Sequence, residues 1–400
     1  MCIGLEGAFG AYRESSTPGF TNTTDFTDLF ANRYGRFNIA TDRFNPYVRA
    51  NAFFYTEICA GIPQSTVCQL RTSGAYPVLS FDWNSNAQNG IDSGCRGGIL
   101  SMALGVSTGI GQSYTNGGLY SDSQRLTSWS MFSVTDTMVY NTSLLSVYAT
   151  TPSSSYGALP FMSPYVNPQV PESLYNAATK EYTCRPSAQA YFFSMSVGVA
   201  AQTTASVQLK VGDLTFEMLR MNTATTGTTT LARSVLAPCN FVPALMTLTS
   251  GAVIPGLNLI SFTAFPYARN SSLTSISWAA YRSTNITIQD TVTYDRWLVQ
   301  QGVTQSSNTI SIPRNGYYYV YISTGIQTRS TVNLSILRNS NVLFGLRRQA
   351  TDHNGEDTIG HGIVIVLNQG DILKVQSFSG GYSSATGLHA SFFGFLLYDL

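Results

Sequence analysis

The chain has 400 residues, of which 44% are hydrophobic and only 11% charged, with 22 basic against 21 acidic side chains for a net charge of +1. Ordinary soluble domains are about 25% charged, so solubility here rests on Ser, Thr, Asn and Gly, and no basic run exists that could neutralise a row of phosphates. Nucleic acid is therefore not an expected partner, and without an apolar run of about 18 residues neither is a spanning helix.

The start, MCIGLEGAFGAYRES, lacks a basic segment followed by an apolar one, so it does not read as a secretory signal; either a leader has been removed or the sequence is an excerpt. At roughly 150 residues per domain the length suits two or three domains. Taken in chain order, the expected elements repeat. The first third has an apolar strand ending in Tyr12, then an Asn-led turn feeding an aromatic strand (NIATDRFNPYVRANAFFY, from Asn38). A strand opening into a polar loop follows (VLSFDWNSNAQNG, ending at Gly90), and the closing strand is SWSMFSV, Ser128 to Val134. Asp82, Asn84 and Asn86 have the spacing of the first EF-hand ligands, but no Gly stands sixth and no Glu closes the loop, so a turn-forming cluster is expected there.

The second third repeats these landmarks as LLSVYAT around Tyr148, NAATKEYTCRPSAQAYFF from Asn176, LTFEMLRMNTATTG ending at Gly227, and SFTAFPY, Ser261 to Tyr267. The last third has WAAYRST around Tyr281, YDRWLVQQG in place of the Asn turn, TISIPRNGYYYVYIS, VLFGLRRQATDHNG ending at Gly355, and SFFGFLL from Ser391. Alternating aromatic and β-branched residues indicate half-buried strands, and a period of about 130 residues without amphipathic helices excludes a helical solenoid. An all-β sandwich written three times is the expectation, with boundaries in the polar stretches after each closing strand, giving domains 1–137, 138–271 and 272–400.

Six cysteines fall as Cys2, Cys59, Cys68 and Cys95 in the first third and Cys184 and Cys239 in the second. Even numbers in each suit disulfides within copies: Cys184 with Cys239, and pairs among the other four, whose three connectivities stay open. A zinc site is not indicated, since no C-x-x-C pair occurs and the three His all lie in the last third. Sequons at Asn22, Asn141, Asn270, Asn285 and Asn333 point to a glycosylated, extracellular chain.

The densest polar cluster is TDHNGEDTIGHG, with Asp352, His353, Glu356, Asp357 and His361. Asp352, Glu356 and Asp357 are the candidate ligands if it takes an ion, and oxygen donors suit calcium; a solvated turn is the competing expectation, and no other cofactor is expected. In NGYYYVYIS, Tyr317, Tyr319 and Tyr321 share one strand face. With the other face in the core, these three are candidate interface residues, having apolar bodies and polar tips. No G-x-S-x-G elbow is present and the His residues share one copy, so an enzyme is not expected.

The middle copy's LYNAATKEYTCRPSAQAYFFSMSV and the last copy's ISIPRNGYYYVYIS, LNQGDILKVQSF and SFFGFLLYDL resemble the globular C1q domain. The match is best in the last copy. The first two copies lack its Leu-x-x-Gly-Asp turn, having SMALGVSTGIGQ and TLTSGAVIPGLN there, and put Ala52 and Ala190 at the strand Gly. The resemblance implies C1q/TNF-like jelly rolls, usually trimeric with the aromatic strand near the axis, so three tandem copies suggest an intramolecular pseudo-trimer or, alternatively, association between chains. The function expected from these readings is an extracellular, non-enzymatic structural or adhesive protein that self-assembles. A secreted lectin-like or pattern-recognition protein, binding glycan or protein ligands, and a viral or appendage subunit are the alternatives.

Overall fold

The computed structural model describes residues 7–14, 26–46, 52–63, 66–75, 77–84, 91–103, 105–115, 119–134, 144–149, 151–154, 157–159, 161, 174–184, 190–222, 227–255, 258–267, 275–286, 291–306, 308–326, 330–349, 357–380 and 387–400. Among these residues all regular structure is β except one 3-10 turn, Arg33–Gly35.

The first ten strands are β1 (Ala8–Tyr12), β2 (Asp28–Asn32), β3 (Phe37–Asn38), β4 (Arg43–Phe44), β5 (Ala52–Pro63), β6 (Val67–Ser73), β7 (Ser80–Asn84), β8 (Ile91–Met102), β9 (Thr108–Thr115) and β10 (Ser128–Ser133). They make two antiparallel sheets, β2-β1-β10-β5-β8 and β3-β4-β9-β6-β7. The next set is β11 (Leu145–Tyr148), β12 (Gly157–Ala158), β13 (Tyr175–Asn176), β14 (Glu181–Thr183), β15 (Ala190–Ala200), β16 (Thr203–Val211), β17 (Leu214–Asn222), β18 (Thr228–Ala237), β19 (Pro243–Gly251), β20 (Val253–Ile254) and β21 (Ser261–Tyr267). Their sheets are β11-β21-β15-β18, with β20 on β15, and β13-β14-β19-β16-β17, with β12 on β19.

The last ten are β22 (Ser277–Arg282), β23 (Arg296–Gln301), β24 (Thr304–Ser306), β25 (Thr309–Ser311), β26 (Gly316–Ile326), β27 (Thr331–Arg338), β28 (Asn341–Gln349), β29 (Asp357–Leu367), β30 (Ile372–Ser379) and β31 (Ala390–Asp399). They repeat the first order as β23-β22-β31-β26-β29 and β24-β25-β30-β27-β28. In each copy the closing strand lies between the first strand and the central aromatic strand. These are three tandem jelly-roll β-sandwiches. The expected boundaries at 137/138 and 271/272 lie outside the described residues.

The two sheets of each copy differ in what they cover. Strands β19 and β30 of the second sheets alternate buried with accessible positions, as a sheet with one wet face must. Strands β15, β29 and β31 of the first sheets are buried at nearly every position. A sheet dry on both faces has a second layer against it, and here that layer is the other two copies. On β26, Tyr318, Val320 and Ile322 pack in the last sandwich's own core, while Tyr319 and Tyr321 join a separate cluster shared with the first two copies.

At the centre of that cluster the three central strands bring Tyr55, Phe192 and Tyr319 together, with ring centroids 4.8 Å apart for Tyr55–Phe192, 5.7 Å for Phe192–Tyr319 and 5.8 Å for Tyr55–Tyr319. Each ring stands opposite a closing-strand phenylalanine across its own sheet: Phe132, Phe265 and Phe395. Phe132 lies 6.4 Å from Phe265 and 6.0 Å from Phe395. Six rings around one axis, each pair adding roughly 0.5–1.5 kcal/mol beyond its buried area, form the hub of the molecule.

Phe192→Ala opens a cavity bordered by all three sandwiches. It is expected to lower the unfolding free energy by about 3–5 kcal/mol in denaturant titration, within one cooperative transition; separate transitions for separate sandwiches would contradict a shared hub.

Candidate functional site

The functional chemistry of the described residues is concentrated on and around this axis. Glu57 of β5 stands beside the hub and is 2% exposed. Its Oε2 accepts hydrogen bonds from Tyr55 at 3.2 Å and from Tyr319. The related positions of the other copies hold Ser194 and Tyr321; Ser194, with Ser234, lies within hydrogen-bond distance of the Tyr55 hydroxyl. Gly362 and Gly97 of the neighbouring strands make room for these groups, since a Cβ on either would collide with the Tyr319 or Tyr55 hydroxyl. Burial pushes the Glu57 carboxyl up to about 7, against the lowering effect of its hydrogen bonds.

One layer further along the axis, equivalent positions of β8, β18 and β29 hold Arg96, Arg233 and His361. Arg96 donates to its own copy's Ser80 carbonyl and to Asn258 in the second copy. Arg233 donates to the Glu217 carbonyl at 2.5 Å and to Gly387 and Leu388 in the third copy. His361 Nδ1 lies 2.6 Å from the Gly345 carbonyl, and its Nε2 lies 2.8 Å from Ser128 Oγ of the first copy. A carbonyl only accepts, so Nδ1 carries the proton and Nε2 receives the Ser128 hydroxyl. Burial holds the His361 pKa at about 4, leaving the ring neutral near pH 7.

Arg125, Asn258 and Leu388 each stand three residues before a closing-strand serine and share the left-handed backbone, with φ of 52°, 58° and 43°. In the second and third copies the residue in this conformation, costly outside glycine, offers its carbonyl to the preceding copy's guanidinium. In the first copy Arg125 reaches in the opposite sense, donating to the Val342 and Leu343 carbonyls at 3.0 and 2.7 Å where the shorter His361 does not reach the loop.

A second ring runs parallel. The Asp82 N–H donates to Thr230 at 2.9 Å, the Leu219 N–H to Thr358 at 3.1 Å, and the Arg347 N–H to Ser93 at 2.8 Å. The first copy thus binds the second, the second the third and the third the first, through equivalent residues. Ser93, Thr230 and Thr358 each stand three residues before the basic clamp, a Ser/Thr-x-x-Arg/His pattern written three times in the sequence that could have disclosed the ring. Of the repeated tyrosines, Tyr148 and Tyr281 donate to the Ile99 and Leu236 carbonyls of the preceding copy at 3.1 and 2.9 Å, whereas Tyr12 turns to Asp28.

Tyr319 and Tyr321 lie between copies, and the half-buried Tyr317 packs against the shared cluster beside Arg33. Cys184 pairs with Cys239, Cys59 pairs with Cys95, Cys68 is a buried free thiol, and Cys2 lies outside the described residues. Asp357 corrects the ion-loop reading: it is 2% exposed and its Oδ2 pairs with Arg348 and, at 3.8 Å, with Arg220, so this carboxylate balances buried guanidiniums rather than facing an ion loop. Asp352 and Glu356 lie outside the described residues, as do Asn22, Asn141 and Asn270. Asn285 is exposed, while half-buried Asn333 accepts from Gln124 across the junction, a placement at odds with a glycan acceptor.

Thr358, His389 and Glu217 line up as hydroxyl, imidazole and carboxylate, with Thr358 Oγ1 at 3.1 Å from Nδ1 and Glu217 Oε2 at 3.6 Å from Nε2. Thr358 is 3% exposed and already accepts the Leu219 N–H, so no substrate atom reaches it. The line ties the second copy to the third.

No family model matches the chain, and no curated protein matches it. Solved structures similar to part of it include murine APRIL at pH 8.0 and pH 5.0, at 16% and 17% identity, each covering 31% of this chain and 100% of the other with a TM-score of 0.27. Eiger TNF from S. frugiperda is similar at 12% identity over 32% of this chain and 96% of the other, again with a TM-score of 0.27.

Glu57 has its folded pKa raised to about 7 against an ordinary value of 4.5, so the folded state holds the proton more tightly. Its protonated form is compatible with full stability below about pH 4.5, and stability falls as the pH rises towards 7. The loss is roughly 3 kcal/mol at most, and Glu57→Gln is expected to remove that slope from denaturation midpoints between pH 4.5 and 7. Thr230→Val, which strips the Asp82 N–H of its acceptor, is expected to cost about 1–3 kcal/mol, and wild-type stability in this variant would exclude the ring as a structural tie.

Proposed function

We propose that the chain is a non-enzymatic, extracellular structural or adhesive building block of C1q/TNF-like type, a single-chain pseudo-trimer that offers its outer faces and loops to other molecules. The observation that carries this reading is the closed ring of equivalent ties from the first copy to the second, third and back to the first. The surfaces that such domains use to find one another are occupied within the chain. What remains for partners is the outer sheets, the junction grooves and the turns.

Two disulfides and the exposed sequon residue Asn285 support an oxidising, secreted setting. No helix of the described residues is long and apolar enough to cross a membrane. The clamp side chains Arg96, Arg233 and His361 are buried and hydrogen-bonded to carbonyls, which supports a structural role for them.

One observation favours recognition as a second reading. Phe241 is 69% exposed at a left-handed φ of 54°, in a turn where the third copy has Gly370 at φ 88°. A large apolar ring held outward in a conformation that glycine adopts without strain is suited to contact with a partner, whether protein or glycan.

Native mass by light scattering on the deglycosylated chain tests the proposal. A mass near 43.4 kDa at every dilution is expected; a dissociating species near three times that value would mean that the copies pair between chains and would overturn the closed single-chain unit. Phe241→Gly is expected to leave stability unchanged or slightly raised while weakening capture of a ligand.

A further inference from the structure

We propose that Cys59, Cys95 and His361 form a binding site for a thiophilic divalent cation of the zinc class when the Cys59–Cys95 disulfide is reduced. The ligand atoms come from strands that the fold, and not the sequence, brings together. Ser128, Cys59 and Cys95 stand directly opposite one another on β10, β5 and β8. His361 of the third copy reaches over this row, and its ligand atom and both sulfurs lie within 4.8 Å of one another.

The imidazole is already oriented as a ligand. Its Nδ1–H is fixed on the Gly345 carbonyl, so the lone pair is on Nε2 and points at the row, where it accepts the Ser128 hydroxyl. A backbone carbonyl in that position is the outer-shell partner that metal-binding histidines use. Two sulfurs and one imidazole are a zinc-type donor set, with Ser128 Oγ or solvent available for a fourth position.

The equivalent sites of the molecule supply an internal comparison. The corresponding rows are Ser261, Ser196 and Ala232 in the second copy and Ser391, Ser323 and Gly360 in the third. The corresponding clamps are Arg96 and Arg233, which have no lone pair to offer. Histidine replaces arginine at the one junction where the row contains two cysteines. A hydrogen-bonding role alone is met by arginine at the other two junctions, so the coincidence of histidine with the cysteine pair points to coordination.

The chemistry balances. An external phosphine with water, or two thiols, delivers two electrons and two protons to the S–S bond, giving two Cys thiols and a phosphine oxide or a disulfide. The cation then displaces both thiol protons to solvent and forms two S–metal bonds and one N–metal bond. Its two positive charges are cancelled by the two thiolates, so the loaded site is neutral, as suits a buried position.

The test uses the full chain, reduced with a phosphine, freed of reductant without oxygen, and titrated with Co2+. Expected is a thiolate-to-cobalt charge-transfer band with the ligand-field absorption of a tetrahedral ion, saturating at one ion per chain and displaced by Zn2+. The unreduced chain shows neither. Cys95→Ser abolishes the signal, whereas Cys184→Ser with Cys239→Ser leaves it, separating this site from the second disulfide. His361→Asn keeps a donor towards Gly345 and weakens binding by more than about 100-fold, since loss of an outer-shell partner alone costs 10–100-fold. Ser128→Cys completes a fourth strong ligand and tightens binding at least about tenfold by the same ligand argument. A reduced chain with no thiolate band overturns the proposal, as does a band that Cys95→Ser or His361→Asn leaves unchanged. If reduction disturbs the near-ultraviolet signal of the buried rings, Zn2+ restores it in the wild type and not in His361→Asn; failure to restore it counts against the site.

Discussion

Every other feature of the molecule depends on three sheets being dry on both faces. A sheet of that kind has no stable existence alone in water, because each face presents apolar side chains at a gain of about 25 cal/mol per Å² buried. One face is satisfied by the outer sheet of the same sandwich and the other only by the remaining two copies. The six-ring hub of Tyr55, Phe192, Tyr319, Phe132, Phe265 and Phe395 is the geometric result. Covalent linkage changes the energetics of meeting that requirement. Three separate chains would lose several kcal/mol of translational and rotational freedom at each association, whereas tethered copies meet at an effective concentration fixed by their linkers.

The tether also permits the interface positions to diverge, and the axis shows the outcome. Where a symmetric trimer must place three identical groups, this chain places a carboxyl on Glu57 against two tyrosine hydroxyls, Tyr55 and Tyr319. Three carboxyls meeting there would face desolvation and mutual repulsion together. The same freedom allows His361 at one clamp and Arg96 and Arg233 at the others, and lets Asp357 neutralise guanidiniums from two copies, Arg220 and Arg348.

Much of this was legible in the sequence because periodicity and turn chemistry are local. The recurring aromatic strands, the closing strands and the alternation of Tyr317 to Ile322 follow from a period of two read residue by residue. The Cys59–Cys95 pairing was not legible, since it depends on the register of β5 against β8. Nor was the true setting of Asp357, whose sequence neighbours suggest a polar loop while its spatial neighbours are buried arginines from other strands. The Cys59, Cys95 and His361 cluster unites residues from the first and last copies, and no spacing rule reaches that far. The Ser/Thr-x-x-Arg/His repeat was present in plain letters, but its meaning appears only once the ring of N–H donors is seen.

The direction of that ring has a consequence for stoichiometry. Because the first copy gives to the second, the second to the third and the third to the first, and because the copies differ in sequence, each junction occurs once per molecule. A homotrimer offers three identical grooves and gathers three partners or none in particular. This chain has one junction of each kind in a fixed cyclic order, so a molecule that recognised one junction would be bound singly and with a defined orientation of the whole particle.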